Sequence, residues 1–257
     1  MAKFAEIKDL SEILKGRRHL IVGDIHSCFD ELSCILNKLD FNAKQDVLIS
    51  VGDLCDRGPK SVEVIEFCKA LQKDGCFYGV RGNHDDRLIR YLKGTDKRPL
   101  KHSTQMTLDD INANWDRYSK DYQEYLNSVL YFFKSFSRII KLPNGYVVHG
   151  GLDPRNSIDR QTKEDCIYMR FFGGEDYFDN VKGDYWFKFL PEGHPRMFFG
   201  HEYLENHYPV QSKQVVALDG GCCFGKELRV WDSQTDEVYS VSAFRTYYRT
   251  NNKNLKF

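Results

Sequence analysis

Five apolar, β-prone runs in this 257-residue chain stop abruptly at Asp, His or Asn, and that repetition constrains the fold more than any other feature. The fullest case is Val51-Gly52-Asp53-Leu54-Cys55-Asp56-Arg57-Gly58-Pro59. There the run 47–51 delivers two acids and an arginine into a turn closed by Gly58-Pro59. Two carboxylates three residues apart are costly to bury unless positive charge sits against them. The same construction stands at Gly23-Asp24-Ile25-His26, Arg81-Gly82-Asn83-His84, Val148-His149-Gly150 and Phe199-Gly200-His201.

Between the first three runs lie segments with apolar residues at helical spacing. Residues 19–22, 46–51 and 76–80 are expected as strands, and 30–39, 61–72 and 85–92 as helices, with Asp30 capping the first. That βαβαβα order, with nearly all-apolar strands, predicts a parallel sheet covered on both faces. Ligands of such sheets gather off the carboxyl ends of the strands, where all three polar clusters fall. Residues 5–15 pattern as a short amphipathic helix. Residues 94–136 mix polar and aromatic residues as helices, either a lid or packing. The strands expected at 138–142, 146–149, 197–200, 215–218, 228–231 and 238–241 build a second, mostly antiparallel sheet. The fold class is therefore α/β, with two central mixed β-sheets sandwiched between helical layers. One domain over 1–244 and a frayed polar tail over 245–257 complete it.

Lys plus Arg and Asp plus Glu both number 37, which argues against a protein that coats nucleic acid. No apolar run spans a membrane, and residues 1–18 lack the apolar centre of a secretory signal. A cytoplasmic location is expected. Eight cysteines form no Cys-x-x-Cys pair; most lie in apolar runs and read as buried thiols in a reducing compartment, and the adjacent Cys222-Cys223 reads as inert packing.

The clustered residues suit metal chemistry. Asp24, His26, Asp53, Asn83, His149 and His201 offer carboxylate, imidazole and amide donors. That set suits Mn, Fe, Zn or Ni better than an all-oxygen calcium cage. Six donors exceed one open tetrahedral site and match two ions about 3.5–4 Å apart, with Asp53 as the bridge. Arg57 can fork onto a phosphate, and Arg170 is a second candidate. His84 can protonate a leaving oxygen as general acid, with Asp56 fixing its tautomer. His19, His102, His194 and His207 read as packed or surface residues.

At these residues the chain resembles the calcineurin-like metallophosphoesterases, in particular the phosphoprotein-phosphatase branch with its bacterial and phage members. The family pattern Gly-Asp-x-His, Gly-Asp-x-x-Asp-Arg-Gly, Gly-Asn-His-Asp/Glu, His-Gly and Gly-His stands in order at 23–26, 52–58, 82–85, 149–150 and 200–201. The resemblance implies one metal on Asp24, His26 and Asp53, and another on Asp53, Asn83, His149 and His201. It further implies His84 with Asp56 as the acid pair, and Arg57 as the phosphate clamp with Asn83 beside it. Tyr168-Met169-Arg170 is similar to the segment that supplies the family's second arginine. The stretch 218–228 resembles compact members that include symmetrical diadenosine tetraphosphate hydrolases. Ser27 stands where the family has glycine, so a strained backbone is expected there.

These features together predict a two-metal phosphoesterase, manganese foremost, in which metal-bridging hydroxide attacks phosphorus directly. The expected substrates are phosphomonoesters, phosphoserine and phosphothreonine included. The alternative is a symmetrical bis(5'-nucleosyl)-tetraphosphate hydrolase. A catalytically inactive binding module is the reading from another class, against which every proposed ligand is present. The partner is a phosphorylated substrate, whether phosphoprotein, small phosphoester or dinucleoside polyphosphate.

Overall fold

The computed structural model describes residues 4–173, 183–204 and 211–249. Its strands are β1 (Ile7–Asp9), β2 (His19–Val22), β3 (Val47–Ser50), β4 (Phe77–Gly79), β5 (Ile139–Leu142), β6 (Gly145–Val148), β7 (Phe171–Phe172), β8 (Asp184–Tyr185), β9 (Met197–Phe199), β10 (Val215–Ala217), β11 (Glu227–Asp232) and β12 (Glu237–Ser242). The helices are α1 (Phe29–Lys38), α2 (Ser61–Lys73), α3 (Asn83–Leu92), α4 (His102–Asn114), α5 (Tyr122–Lys134) and α6 (Lys163–Tyr168). One five-stranded sheet runs β12-β11-β2-β3-β4, and a second runs β1-β5-β6-β9-β10.

Strand alternation builds the sandwich. On β2 and β3, Ile21, Val47 and Ile49 turn toward the second sheet and meet Ile140, Val147, Phe198 and Val216 in an inter-sheet core. Leu20, Val22 and Leu48 turn the other way, into a core shared with Leu32 and Ile35 of α1 and Val64, Ile65 and Cys68 of α2. Beyond the second sheet a third cluster joins Val148, Met197 and Phe199 to Cys166 and Trp186. Two mixed sheets between helical layers match the expected class.

Four expectations are corrected. Residues 5–15 are not a helix: β1 pairs in parallel with β5, Ile7 opposite Ile139, and a single turn then inserts Leu10 and Leu14 between the sheets while Ile13 stays exposed. The second sheet is mostly parallel, with β5–β6 its antiparallel pair. The long connection from β6 to β9 supplies the crossover that a parallel return requires. β11 and β12 instead extend the first sheet, with Val230 opposite Val22. Asp30 does not cap α1; Cys28 occupies that position without a side-chain bond, and Asp30 receives Lys60 Nζ at 2.7 Å.

The 94–136 segment forms α4 and α5, and its aromatics divide. Tyr125, Phe132 and Phe133 are buried in the core that the first sheet shares with α1 and α2, whereas Tyr118, Tyr122 and Tyr131 are exposed. The start of the tail is docked rather than frayed: the backbone N–H groups of Tyr247 and Tyr248 both donate to the Cys223 carbonyl, at 3.0 and 2.9 Å. Residues 250–257 lie outside the described residues, as does His207.

Candidate metal centre and active site

Every expected ligand stands just beyond a strand's carboxyl end. Asp24 and His26 follow β2, Asp53 follows β3, Asn83 opens α3 after β4, His149 follows β6 and His201 follows β9. The two sheets thus contribute to one rim. Two glycines allow the close approach. A Cβ on Gly200 would fall 2.0 Å from Asp24 Oδ1, and one on Gly82 would fall 2.0 Å from Asp53 Oδ1.

Backbone strain concentrates here. Of eight non-glycine residues with positive φ among the described residues, six are His26, Ser27, Asp53, Asp56, Arg57 and His201. Each such conformation costs about 1–3 kcal/mol and persists only where the surroundings over-determine it. Ser27, at φ 60°, bears the strain its departure from glycine implied, and its fully buried hydroxyl bonds Ser61 Oγ at 2.7 Å.

The donor atoms converge. Asp24, Asp53 and His149 each bring a ligand atom within 4.8 Å of the others, and so do His26, Asp53 and His84. Asp53 belongs to both groups: its Oδ1 lies 3.5 Å from His149 Nε2, and its Oδ2 lies 3.6 Å from His26 Nε2. The His149 Nδ1–H donates to the Val51 carbonyl at 2.8 Å, and the His26 Nδ1–H donates to the Cys55 carbonyl at 2.8 Å. In the neutral rings those bonds leave each Nε2 as a bare lone pair turned into the site. Asn83 Oδ1 sits 3.1 Å from His149 Nε2 and 3.0 Å from His201 Nδ1. At the His149 contact two acceptors therefore face each other, an arrangement that a shared cation satisfies.

Electrostatics point the same way. Burial, then the neighbouring Asp219 and Asp53, push the Asp24 carboxyl well above its usual range. Burial likewise lifts Asp53 to about 7, although Arg57 and the His84 N–H pull against it. Burial drives His149 down to about 4, and burial followed by nearby arginines drives His26, His84 and His201 well down. Neutral imidazoles beside crowded carboxylates are what divalent ions bind, so the residues fit the metal pair.

His84 and Asp56 meet as expected, Nδ1 to Oδ2 at 2.6 Å. The Asp56 carboxylate also accepts Thr104 Oγ1 at 2.8 Å and Thr107 Oγ1 at 2.9 Å, both from α4. Arg57 reaches across with Nη1 donating to His26 Nε2 at 2.7 Å and Nη2 to His84 Nε2 at 2.9 Å, while its guanidinium lies over the Phe224 ring at 5.0 Å. Arg170 is placed beside His201, donating to its carbonyl at 3.1 Å, but pairs with Glu202 at 2.9 Å.

Sequence reasoning missed several supporting residues. Asp85 receives the backbone N–H groups of Gly82, Asp53 and Leu54 at 2.8, 2.9 and 3.1 Å, holding the two ligand turns together. Its place beside Asn83-His84 was the available signal. Asp219, in the 218–228 stretch, raises Asp24 and Asp53 through its charge. Thr104 and Thr107 carried no signal, because threonines on a polar helix look like surface. Cys222 and Cys223 are both buried, and burial pushes the Cys223 thiol up, which fits inert packing.

A family model for calcineurin-like phosphoesterases matches residues 17–231. The chain belongs to that family. This phosphoesterase is 30% identical over 242 residues to the asymmetrical bis(5'-nucleosyl)-tetraphosphatase PrpE of Bacillus subtilis, covering 88% of its own length and 95% of the relative. It is 26% identical to the symmetrical bis(5'-nucleosyl)-tetraphosphatase of Shewanella putrefaciens, over 85% and 96% of the two chains. A solved structure described as a candidate diadenosine tetraphosphatase superposes with a TM-score of 0.71 at 26% identity, covering 93% of this chain and 99% of that one. A serine/threonine phosphatase from Saccharomyces cerevisiae shares the fold at 17% identity, with a TM-score of 0.60 over 96% and 85% of the chains. The phosphoesterase is thus a hydrolase whose named relatives favour the alternative substrate reading over the phosphoprotein one. No helix among the described residues is long and apolar enough to cross a membrane.

Proposed function

We propose that this phosphoesterase hydrolyses dinucleoside polyphosphates, cutting a phosphoanhydride bond in a two-metal site. The observation that carries the metal chemistry is Asp53, whose two oxygens face His149 on one side and His26 on the other. The substrate class rests on relatives that match 88% of the chain. Those at 27–30% identity are named asymmetrical and those at 25–26% symmetrical, so the products expected are a nucleoside triphosphate and a monophosphate rather than two diphosphates.

In this reading Asp24, His26 and Asp53 hold one divalent ion, and Asp53, Asn83, His149 and His201 hold the other, with manganese preferred over iron, zinc or nickel. Ions bound there supply an acidified water and positive charge for the phosphate oxygens. The protein's own groups do the rest. Arg57 turns its guanidinium from the imidazoles onto the phosphate, and Asn83 and Arg170 line the same face. His84 would present Nε2 to the leaving oxygen once Arg57 has turned away, take up a proton there and donate it as general acid, while Asp56 accepts the Nδ1–H and favours the imidazolium. Residues 1–244 act as one unit, in which 94–136 walls the acid pair, and the enzyme works in the cytoplasm.

Mass spectrometry of products from diadenosine tetraphosphate, with a phosphoserine peptide in parallel, tests the assignment. Faster turnover of the peptide would return the protein-phosphatase reading. Two diphosphates would move the cut to the centre of the chain.

A further inference from the structure

We propose that Phe224, Tyr248 and His102 form a platform on which one nucleoside of the substrate stacks, next to the phosphate clamp. The proposal rests on the substrate class inferred above and adds the residues that recognise it.

The starting point is Arg57. Its guanidinium lies over Phe224, and Phe224 meets Tyr248 edge-on at 6.3 Å between centroids, with the planes at 62°. Tyr248 in turn faces the His102 ring at 6.1 Å and 32°. A continuous run of π surfaces therefore leads outward from the clamp arginine. Such faces accept any nucleobase, because stacking does not read hydrogen-bond edges.

Phe224 packs against the core that the first sheet shares with α1 and α2, whereas the two outer rings do not belong to it. His102 is exposed in the first turn of α4 and Tyr248 is only half-buried, yet the tyrosine's backbone is held in place. The backbone N–H groups of Tyr247 and Tyr248 converge on the Cys223 carbonyl. The Tyr247 hydroxyl donates to Glu31 at 2.8 Å, a carboxylate that also takes the Phe244 N–H at 2.8 Å. Glu31 is fully buried, so the tail after β12 is anchored on an interior acid rather than lying loosely on the surface. An anchored aromatic loses little freedom when a ligand arrives.

Beside these rings opens a cavity of about 450 Å³ lined by His102, Met106, Tyr247, Tyr248 and Arg249. Its size falls within the range of small-molecule sites, roughly 300–1,000 Å³. Lys101, next to His102, lies close enough to Arg87, Arg98 and Arg57 for their charges to push its ammonium pKa down. Arg87 Nη1 also lies 3.7 Å from Asp56 Oδ2, so basic groups stand both beside the rings and at the acid pair, which suits a polyphosphate joining a stacked nucleoside to the metals.

The test compares inhibition of aryl-phosphate hydrolysis by adenosine monophosphate and by inorganic phosphate, in wild type and in Tyr248→Ala, His102→Ala and Tyr248→Phe. Wild type is expected to bind the nucleotide more tightly than phosphate. Tyr248→Ala and His102→Ala should each weaken the nucleotide by about tenfold, leaving phosphate inhibition and the aryl-phosphate kcat unchanged. Tyr248→Phe, which keeps the ring, should behave as wild type. Equal inhibition by nucleotide and phosphate in wild type, or a nucleotide constant that survives both alanine substitutions, overturns the platform. The aryl-phosphate kcat reports that each variant is folded. Failure of wild type to cut diadenosine tetraphosphate would sink the substrate assignment instead, and the nucleotide comparison would still decide the platform.

Discussion

Asp56 Oδ2 lies 2.6 Å from Nδ1 of His84, and the carboxylate is enclosed by two threonine hydroxyls on a helix that contributes no metal donor. The Asp56 carboxylate is therefore oriented from α4, while the donors around Asp53 sit at the strand ends; the His84 backbone N–H, donating to Asp53 Oδ1 at 2.9 Å, links the two. On the proposed roles, the side chains assigned to proton transfer and those assigned to metal binding are thus oriented by different elements.

That separation gives the first prediction. His84→Asn should lower kcat by about 10²–10⁴, the usual worth of a general acid, with both metals retained. Steady-state kinetics together with elemental analysis of the purified variant checks it. Loss of metal alongside activity would make His84 a ligand and remove it from the acid role.

Arg57 donates to both His26 and His84, and its ring partner Phe224 steadies it from below. Arg57→Ala should raise the inhibition constant for inorganic phosphate at least tenfold, since a charge-assisted hydrogen bond is worth about 1.5–3 kcal/mol. An unaltered constant would put the phosphate elsewhere in the cleft.

The metals should stabilise as well as activate. Their donors come from β2, β3 and β4 of one sheet and from β6 and β9 of the other. A group that binds only the folded state raises stability by mass action, about 2.7 kcal/mol at a hundred times Kd. Chelation should therefore lower Tm, and added manganese should restore it. A Tm indifferent to chelator would mean that the donors do not hold ions across the seam.

A fourth prediction concerns pH. Arg18 forks onto Asp232, with Nη2 to Oδ2 at 2.7 Å and Nε within 3.2 Å of both oxygens, tying the start of β2 to the end of β11. Burial works to raise the Asp232 carboxyl, but the Arg18 bonds outweigh it and hold the pKa below the ordinary value. A lowered carboxylate contributes stability that is present above the unfolded pKa of about 3.9 and lost as pH falls through the folded one. Arg18→Ala should cost about 1–3 kcal/mol at pH 7, and the difference from wild type should shrink below about pH 4. Denaturant melts across that range decide it; a gap that stays constant would assign the loss to packing of the arginine stem.

The proposed metal donors were legible in the sequence because each sits in a short motif at the end of an apolar run, where local chemistry and strand position coincide. Asp24, Asp53 and His149 needed no knowledge of the second sheet's topology. What was not legible depended on long-range pairing. The residues around Leu10 and Leu14 carry helical spacing, but an edge position beside β5 was open, and one turn sufficed to bury both leucines. The apolar strands of the second half show no preference for parallel or antiparallel neighbours; the crossover between β6 and β9 decides that. Thr104 and Thr107 face Asp56 from across the chain, and a polar tail that docks through Glu31 and the Cys223 carbonyl leaves no composition signal.

The left-handed turns at His26, Ser27, Asp53, Asp56, Arg57 and His201 are springs, kept wound by the packing beneath them. Six such residues at about 1–3 kcal/mol each rival the net stability of a whole domain, about 5–15 kcal/mol. Loosening the inter-sheet core at Ile49 or Val147, far from any phosphate, should let the springs unwind while the molecule still looks folded. Turnover would then fail at temperatures well below the melting transition, making activity the earliest witness to damage in the interior.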